Sequence, residues 1–185
     1  MDKFKKIGTF FLFILCLWIH PQPSAASDNF FPTVTAPYVF VQNQETGRIL
    51  YEKNAQTPVP MASTTKIMTA IVALEIYDPA LMVEIKPEWC GIEGSSMYLK
   101  AGERLSVKDL LYGLLLSSGN DAATALAGLY TGHQDDFVAL MNQKAQALNL
   151  TNTAFCNPSG LREEGHHTTA LDLARLTAYA MKQPL

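Results

Sequence analysis

The sequence has no excess of positive charge: 14 lysines and arginines stand against 17 aspartates and glutamates, a formal net charge of −3 over 185 residues. A nucleic-acid partner, which needs a basic footprint, is thereby disfavoured. Internal repeats and low-complexity tracts are absent, as is the low-hydrophobicity, high-charge signature of disorder, since 48% of the residues are hydrophobic. Cysteine is scarce, with only Cys16, Cys90 and Cys156. Phe13-Ile14-Leu15, which precede Cys16, lack the small residues of a lipid-attachment site. Cys90 and Cys156 fit either a disulfide of an exported protein or two buried free thiols, because sequence does not fix the distance between their Cα atoms.

Long apolar runs are also missing. The stretch from Ile7 to Ile19 falls short of the ~20 residues that span a bilayer, which argues against a retained membrane anchor. Lys3, Lys5 and Lys6 precede it and Pro23-Ser24-Ala25-Ala26 follow it, the pattern of a secretory signal peptide over residues 1–26. The mature domain is expected to occupy residues 27–185. Removing the leader takes away three lysines and Asp2, which carries the formal charge from −3 to −5.

What remains reads as one α/β unit. Tyr38–Gln42 and Arg48–Glu52 are β-rich runs around a polar turn ending in Gly47, a hairpin signal. After a polar connection with two prolines a helix is expected to begin near Ser63. From Ile67 to Ile76 it is apolar on every side, which marks burial all round. Ser106-Val107-Lys108-Asp109 is a capping box leading into a second apolar helix, broken at Ser117-Ser118-Gly119-Asn120 and resumed from Asp121 to about Tyr130. Apolar residues at three and four spacing from Asp135 to Leu148 predict an amphipathic surface helix. Thr169 and Asp172 announce a last helix to about Met181.

Two clusters of polar residues stand out against this apolar background. Ser63 and Lys66 are three apart at the start of the buried helix, where a helical turn brings them together. A serine hydroxyl needs a base to become a nucleophile, and a lysine serves when apolar surroundings lower its pKa. The helix N-terminus adds its dipole and free N–H groups, which favour an oxyanion. Taken alone, Ser-x-x-Lys equally describes a capping serine beside a snorkelling lysine. The second cluster, Ser118 and Asn120 on the break between two helices, supplies a hydroxyl for proton transfer and an amide for holding a peptide bond.

Ser63-Thr64-Thr65-Lys66, Ser118-Gly119-Asn120, the run Gly94–Ala123 and Asn157-Pro158-Ser159-Gly160-Leu161 together resemble the serine-type D-alanyl-D-alanine carboxypeptidases, the low-molecular-mass penicillin-binding proteins of bacteria. The resemblance implies a β-lactamase/transpeptidase-like α/β fold, an antiparallel sheet flanked by helices. It assigns Ser63 as nucleophile, Lys66 as its base, Ser118 as proton relay and Asn120 as a substrate-orienting amide. It also implies a peptidoglycan stem peptide ending in D-Ala-D-Ala as substrate, β-lactams as inhibitors, and a place outside the cytoplasmic membrane, in the cell wall or periplasm. No cofactor or metal is called for.

One departure stands beside this match. The family's Lys-Thr-Gly motif does not occur; Thr46-Gly47 and Thr131-Gly132 follow Glu45 and Tyr130. The chain is therefore expected to be an N-terminal piece, with the later strands and a membrane-associating C-terminal region beyond it, and to be inactive alone. A class A β-lactamase is the nearest alternative, but its second motif carries Asp where Gly119 stands. A non-catalytic cell-wall-binding module is the alternative of a different class. A zinc site from His133, His166, His167 and Asp172 is set aside in favour of solvated or capping histidines, because adjacent histidines project differently from a loop and no His-Glu-x-x-His is present.

Overall fold

Val39–Gln42 (β1) and Ile49–Lys53 (β2) pair antiparallel, with a register shift between Val41 and Gln42. The turn between them is tied by Asn43, whose side-chain oxygen accepts from the Thr46 amide at 2.7 Å and the Thr46 hydroxyl at 2.8 Å, and Gly47 takes the left-handed φ of 69° that closes it. The computed structural model describes residues 34–183. The signal peptide read over 1–26 and the domain start at residue 27 lie outside them. Every described element belongs to one compact unit that begins at Ala36.

Five helices form the bulk: Lys66–Ile76 (α1), Val107–Leu116 (α2), Asn120–Thr131 (α3), Gln134–Ala147 (α4) and Ala170–Ala180 (α5). Helix α1 packs against all four others. Met68, Ile71 and Ala73 of α1 meet Leu110, Leu111 and Leu114 of α2, Leu126 of α3, and Phe137 and Met141 of α4 in one continuous core. Alanine at 122, 123, 125 and 127, all fully buried, lets α3 approach closely. The capping box forms as the sequence indicates: Ser106 Oγ accepts from the Asp109 amide, and the Asp109 carboxylate accepts from the Ser106 amide at 3.0 Å. Thr169 caps α5 through the Asp172 amide at 3.1 Å.

The sheet is incomplete, as the resemblance implies for a chain whose later strands lie beyond it. Alongside β1–β2 there is only a second two-stranded ribbon among the described residues, Met82–Glu84 (β3) with Arg104–Ser106 (β4). The sequence announces no strand at either place, since three residues are too few to display a period of two. Isolated bridges from Val59 to Thr168 and from Ala154 to His167 draw the loop after α4 back beside the approach to α1. That return places residues 157–166 under the first turn of α1. Cys90 and Cys156 are free thiols, each half-buried.

Candidate active site

Ser63 lies in a single 3-10 turn, Ala62–Thr65, that runs directly into α1. The turn is tighter than the α-helical start expected from sequence because the Thr64 and Thr65 hydroxyls donate back to the carbonyls of Met61 at 2.5 Å and Ala62 at 2.8 Å. Ala62 takes a left-handed φ of 45° to enter it. Ser63 is exposed, whereas Lys66 is only 2% exposed. The Lys66 Nζ donates to Ser63 Oγ at 3.3 Å, to Asn120 Oδ1 at 2.8 Å and to the Ser159 carbonyl at 2.6 Å. Burial pushes its pKa below the usual lysine value.

Three stretches far apart in sequence thus meet on one amine. Asn120 opens α3, where its backbone N–H donates to Ser95 O at 2.7 Å and its side-chain Nδ2 to Glu93 O at 2.6 Å. A Cβ on Gly94 would come within 2.8 Å of that Nδ2, so only glycine leaves room there. Both ends of the Asn120 amide are therefore engaged inside the protein, one on Lys66 and one on the neighbouring loop.

Asp121, fully buried, anchors that loop. It accepts from Ser96 Oγ at 2.6 Å and from the amides of Met97 at 3.0 Å, Leu99 at 3.0 Å and Ala122 at 2.9 Å. Burial alone would raise its pKa, but these donors together hold the carboxyl below the usual range.

The loop Asn157–Leu161 supplies the third side. Asn157 Oδ1 accepts from the Gly160 amide at 2.7 Å and the Ser159 amide at 3.2 Å, which folds the loop on itself. Its carbonyls then face α1: Pro158 O accepts from the Thr69 hydroxyl at 2.6 Å, and Ser159 O from Lys66. The individual roles in this stretch leave no mark in the sequence, because its contribution is made by backbone carbonyls that have no residue signature.

Ser118 stands at a left-handed φ of 54° on the break between α2 and α3. With Ser63, Lys66, Leu114 and Leu115 it lines a cleft of about 340 Å³. Its hydroxyl makes no hydrogen bond to Ser63 or Lys66. A larger hollow of about 880 Å³ opens beside the same turn, between Pro58–Ala62 and Gly160–His167.

Among the candidate zinc ligands, His133 is solvated at the start of α4, and Asp172 accepts from the Asn152 amide at 2.9 Å and the Thr153 hydroxyl at 3.0 Å. His166 departs from the solvated or capping reading: it is buried against the turn that carries Ser63. Among the described residues no three His, Cys, Asp or Glu side chains gather around one point.

The architecture is that of the DD-peptidases. The structure superposes on the crystal structure of D-alanyl-D-alanine carboxypeptidase DacD from Francisella tularensis with a TM-score of 0.78 and 40% identity, over 82% of this chain and 38% of that one. The sequence profile of Peptidase S11, described as D-alanyl-D-alanine carboxypeptidase, matches residues 23–185, and the chain belongs to this family. It is 39% identical to D-alanyl-D-alanine carboxypeptidase DacF of Bacillus subtilis over 144 residues, 75% of this chain and 37% of that protein. It is also 39% identical to DacC of Escherichia coli over 181 residues, 91% of this chain and 44% of DacC. The chain thus spans less than half the length of either relative.

Proposed function

We propose that the protein is a serine-type D-alanyl-D-alanine carboxypeptidase that removes the terminal D-Ala of peptidoglycan stem peptides through an acyl-enzyme on Ser63. The observation that carries this reading is the buried Lys66 amine, 3.3 Å from an exposed serine hydroxyl and held by two further acceptors. A protonated amine has three N–H bonds for three acceptors. A neutral one has two N–H bonds and a lone pair. Asn120 Oδ1 and Ser159 O, at 2.8 and 2.6 Å, can only accept and so retain the two N–H bonds. The lone pair then faces Ser63, the one partner with a proton to give.

In the reaction Ser63 Oγ attacks the carbonyl carbon of the penultimate D-Ala while its proton passes to Lys66. The carbonyl electrons move onto oxygen, and the positive end of α1 favours that charge. As the intermediate collapses, the C–N bond breaks, and the proton travels from Lys66 by way of Ser118 to the departing amine of D-Ala. Water next attacks the ester, giving its proton to Lys66, and Ser63 Oγ leaves with a proton returned from the amine. Asn120 acts first by fixing the lysine. Its second amide proton, not used by Glu93 O, is left to orient the substrate's peptide bond. The same attack on a β-lactam carbonyl opens the ring and leaves a penicilloyl ester on Ser63. Because stem peptides lie outside the cytoplasmic membrane, the leader read over residues 1–26 fits this function.

The test is to incubate the full-length gene product with labelled penicillin and map the modified peptide by mass spectrometry. Label on Ser63 is expected. Label on Ser118, or none, overturns the assignment.

A further inference from the structure

The mechanism leaves one buried titratable side chain unused beside the nucleophile. His166 is 6% exposed, with the Phe155 ring edge-on at 5.9 Å. The Cys156 amide donates to its Nδ1 at 2.9 Å, so Nδ1 carries no proton. The one proton of the neutral ring is then on Nε2, 2.7 Å from Thr65 Oγ1. The Thr65 hydroxyl accepts that proton and spends its own on Ala62 O at 2.8 Å. A directional chain therefore runs from the Cys156 amide through His166 and Thr65 to the carbonyl adjoining Ser63. On the other side Gly160 presses on the same carbonyl, where a Cβ would lie 1.9 Å from Ala62 O. Ala62, held at a left-handed φ of 45°, is gripped between the two.

We propose that His166 is a positioning residue for acylation: neutral and protonated on Nε2, it locks through Thr65 the turn that presents Ser63 to Lys66, and taking up a second proton releases that turn. The proposal rests on the reading of Ser63 as nucleophile. A second proton would set Nδ1–H against the Cys156 N–H and break the first link of the chain. The charged and titratable groups around the ring are Glu163 and His167 on its own loop, the Cys156 thiol on the facing bridge, and Lys66 one residue beyond Thr65; Arg162 and Glu164 line the adjoining hollow. Burial lowers the ring's pKa, Glu163 opposes this and His167 adds to it.

The experiment measures the acylation rate of the full-length protein by labelled penicillin for wild type, His166→Leu, His166→Gln, Thr65→Val and the Leu/Val double variant, with folding checked by circular dichroism. His166→Leu is expected to slow acylation by about tenfold or more, the size of effect a misplaced nucleophile gives. Glutamine restores an N–H donor to Thr65 without a titrating group, so His166→Gln recovers to within about threefold of wild type and loses rate less steeply below pH 6. The double variant is no slower than the slower single, because both act on one chain of bonds. Wild-type rates in His166→Leu, a glutamine variant as slow as leucine, or additive single effects each overturn the proposal. Should the leucine variant not fold, nitrogen-15 spectra of the wild-type ring decide: the Nε2–H tautomer supports the proposal and an Nδ1–H tautomer at neutral pH overturns it. An unlabelled wild type instead overturns the reading of Ser63, and the proposal with it.

Discussion

Lys66 has an uncommon balance of surroundings. Burial favours its neutral form, while the carbonyl oxygens of Asn120 and Ser159 offer hydrogen bonds that either form can satisfy. If it is the base, acylation requires the neutral amine, so the rate rises with pH through the lowered lysine pKa and then levels. Acylation rates measured from pH 5 to 10 check this, and a rate that falls between pH 6 and 9 speaks against it. Lys66→Arg keeps the charge permanently and cannot accept the serine proton. Acylation of that variant is expected to drop by at least ~10³-fold, as when a member of a catalytic unit is removed, with the circular dichroism spectrum unchanged. Rapid labelling of Lys66→Arg would make the lysine structural.

The segments that hold these residues differ in how plainly the sequence announces them. Helices α1 to α5 are legible because their apolar spacing and their caps at Ser106 and Thr169 are local signals. That Ser63, Lys66 and Asn120 meet, with Ser118 on the same cleft, is legible through the motifs that carry the family resemblance, whereas the Ser-x-x-Lys spacing alone does not distinguish a cap from a dyad. Ribbon β3–β4 is hidden by its shortness, and the seat of His166 by tertiary contact with Thr65, 101 residues away in sequence. Carbonyl contributions from Pro158 and Ser159 are hidden for a third reason, since every residue has a carbonyl.

Two glycines in the returning loop separate strain from collision. Gly160 has φ +87° and would drive a Cβ into Ala62 O, whereas Gly165 has φ +86° but would meet only Cys156 Sγ at an ordinary 3.6 Å. Gly165→Ala is expected to cost about 1 kcal/mol and leave acylation alone, while Gly160→Ala costs at least about 2 kcal/mol and slows acylation as well. Urea denaturation with penicillin labelling checks both, and equal effects would remove the distinction. At α2, Ser106→Ala removes a helix cap far from the cleft and should cost about 1 kcal/mol with no kinetic effect.

Stability is distributed unevenly over the whole unit. Ribbon β1–β2 exposes Val41, Ile49 and Leu50, whereas Ala122–Ala127 of α3 lie in the core. A two-stranded ribbon is marginal in water. Hydrogen exchange is expected to be much faster at Phe40–Gln42 and Ile49–Glu52 than along α3, and equal protection would mean that the ribbon shares the core's stability. Two buried groups set the acid side. The His166 pKa is lowered from 6.5, so its contribution is complete above about pH 6.5 and is lost as pH falls through the lower native value. The lowered Asp121 pKa acts in the same direction in a later window, complete above about pH 4 and lost below it. Urea midpoints against pH should therefore fall in two stages, and His166→Gln should abolish the first alone.

The convergence on one amine also sets an order in time. Lys66 gains its Asn120 acceptor only across 54 residues of chain and its Ser159 acceptor only across 93, and closing loops of that length is slow compared with forming a helix turn. A nascent chain that has exposed Ser63 and Lys66, or even Ser118, still has a solvated lysine with an ordinary proton affinity. On the reading of Lys66 as the base, the pair cannot become reactive before the loop at 157–161 has docked under α1, and the emerging Ser63 is expected to be chemically inert until then.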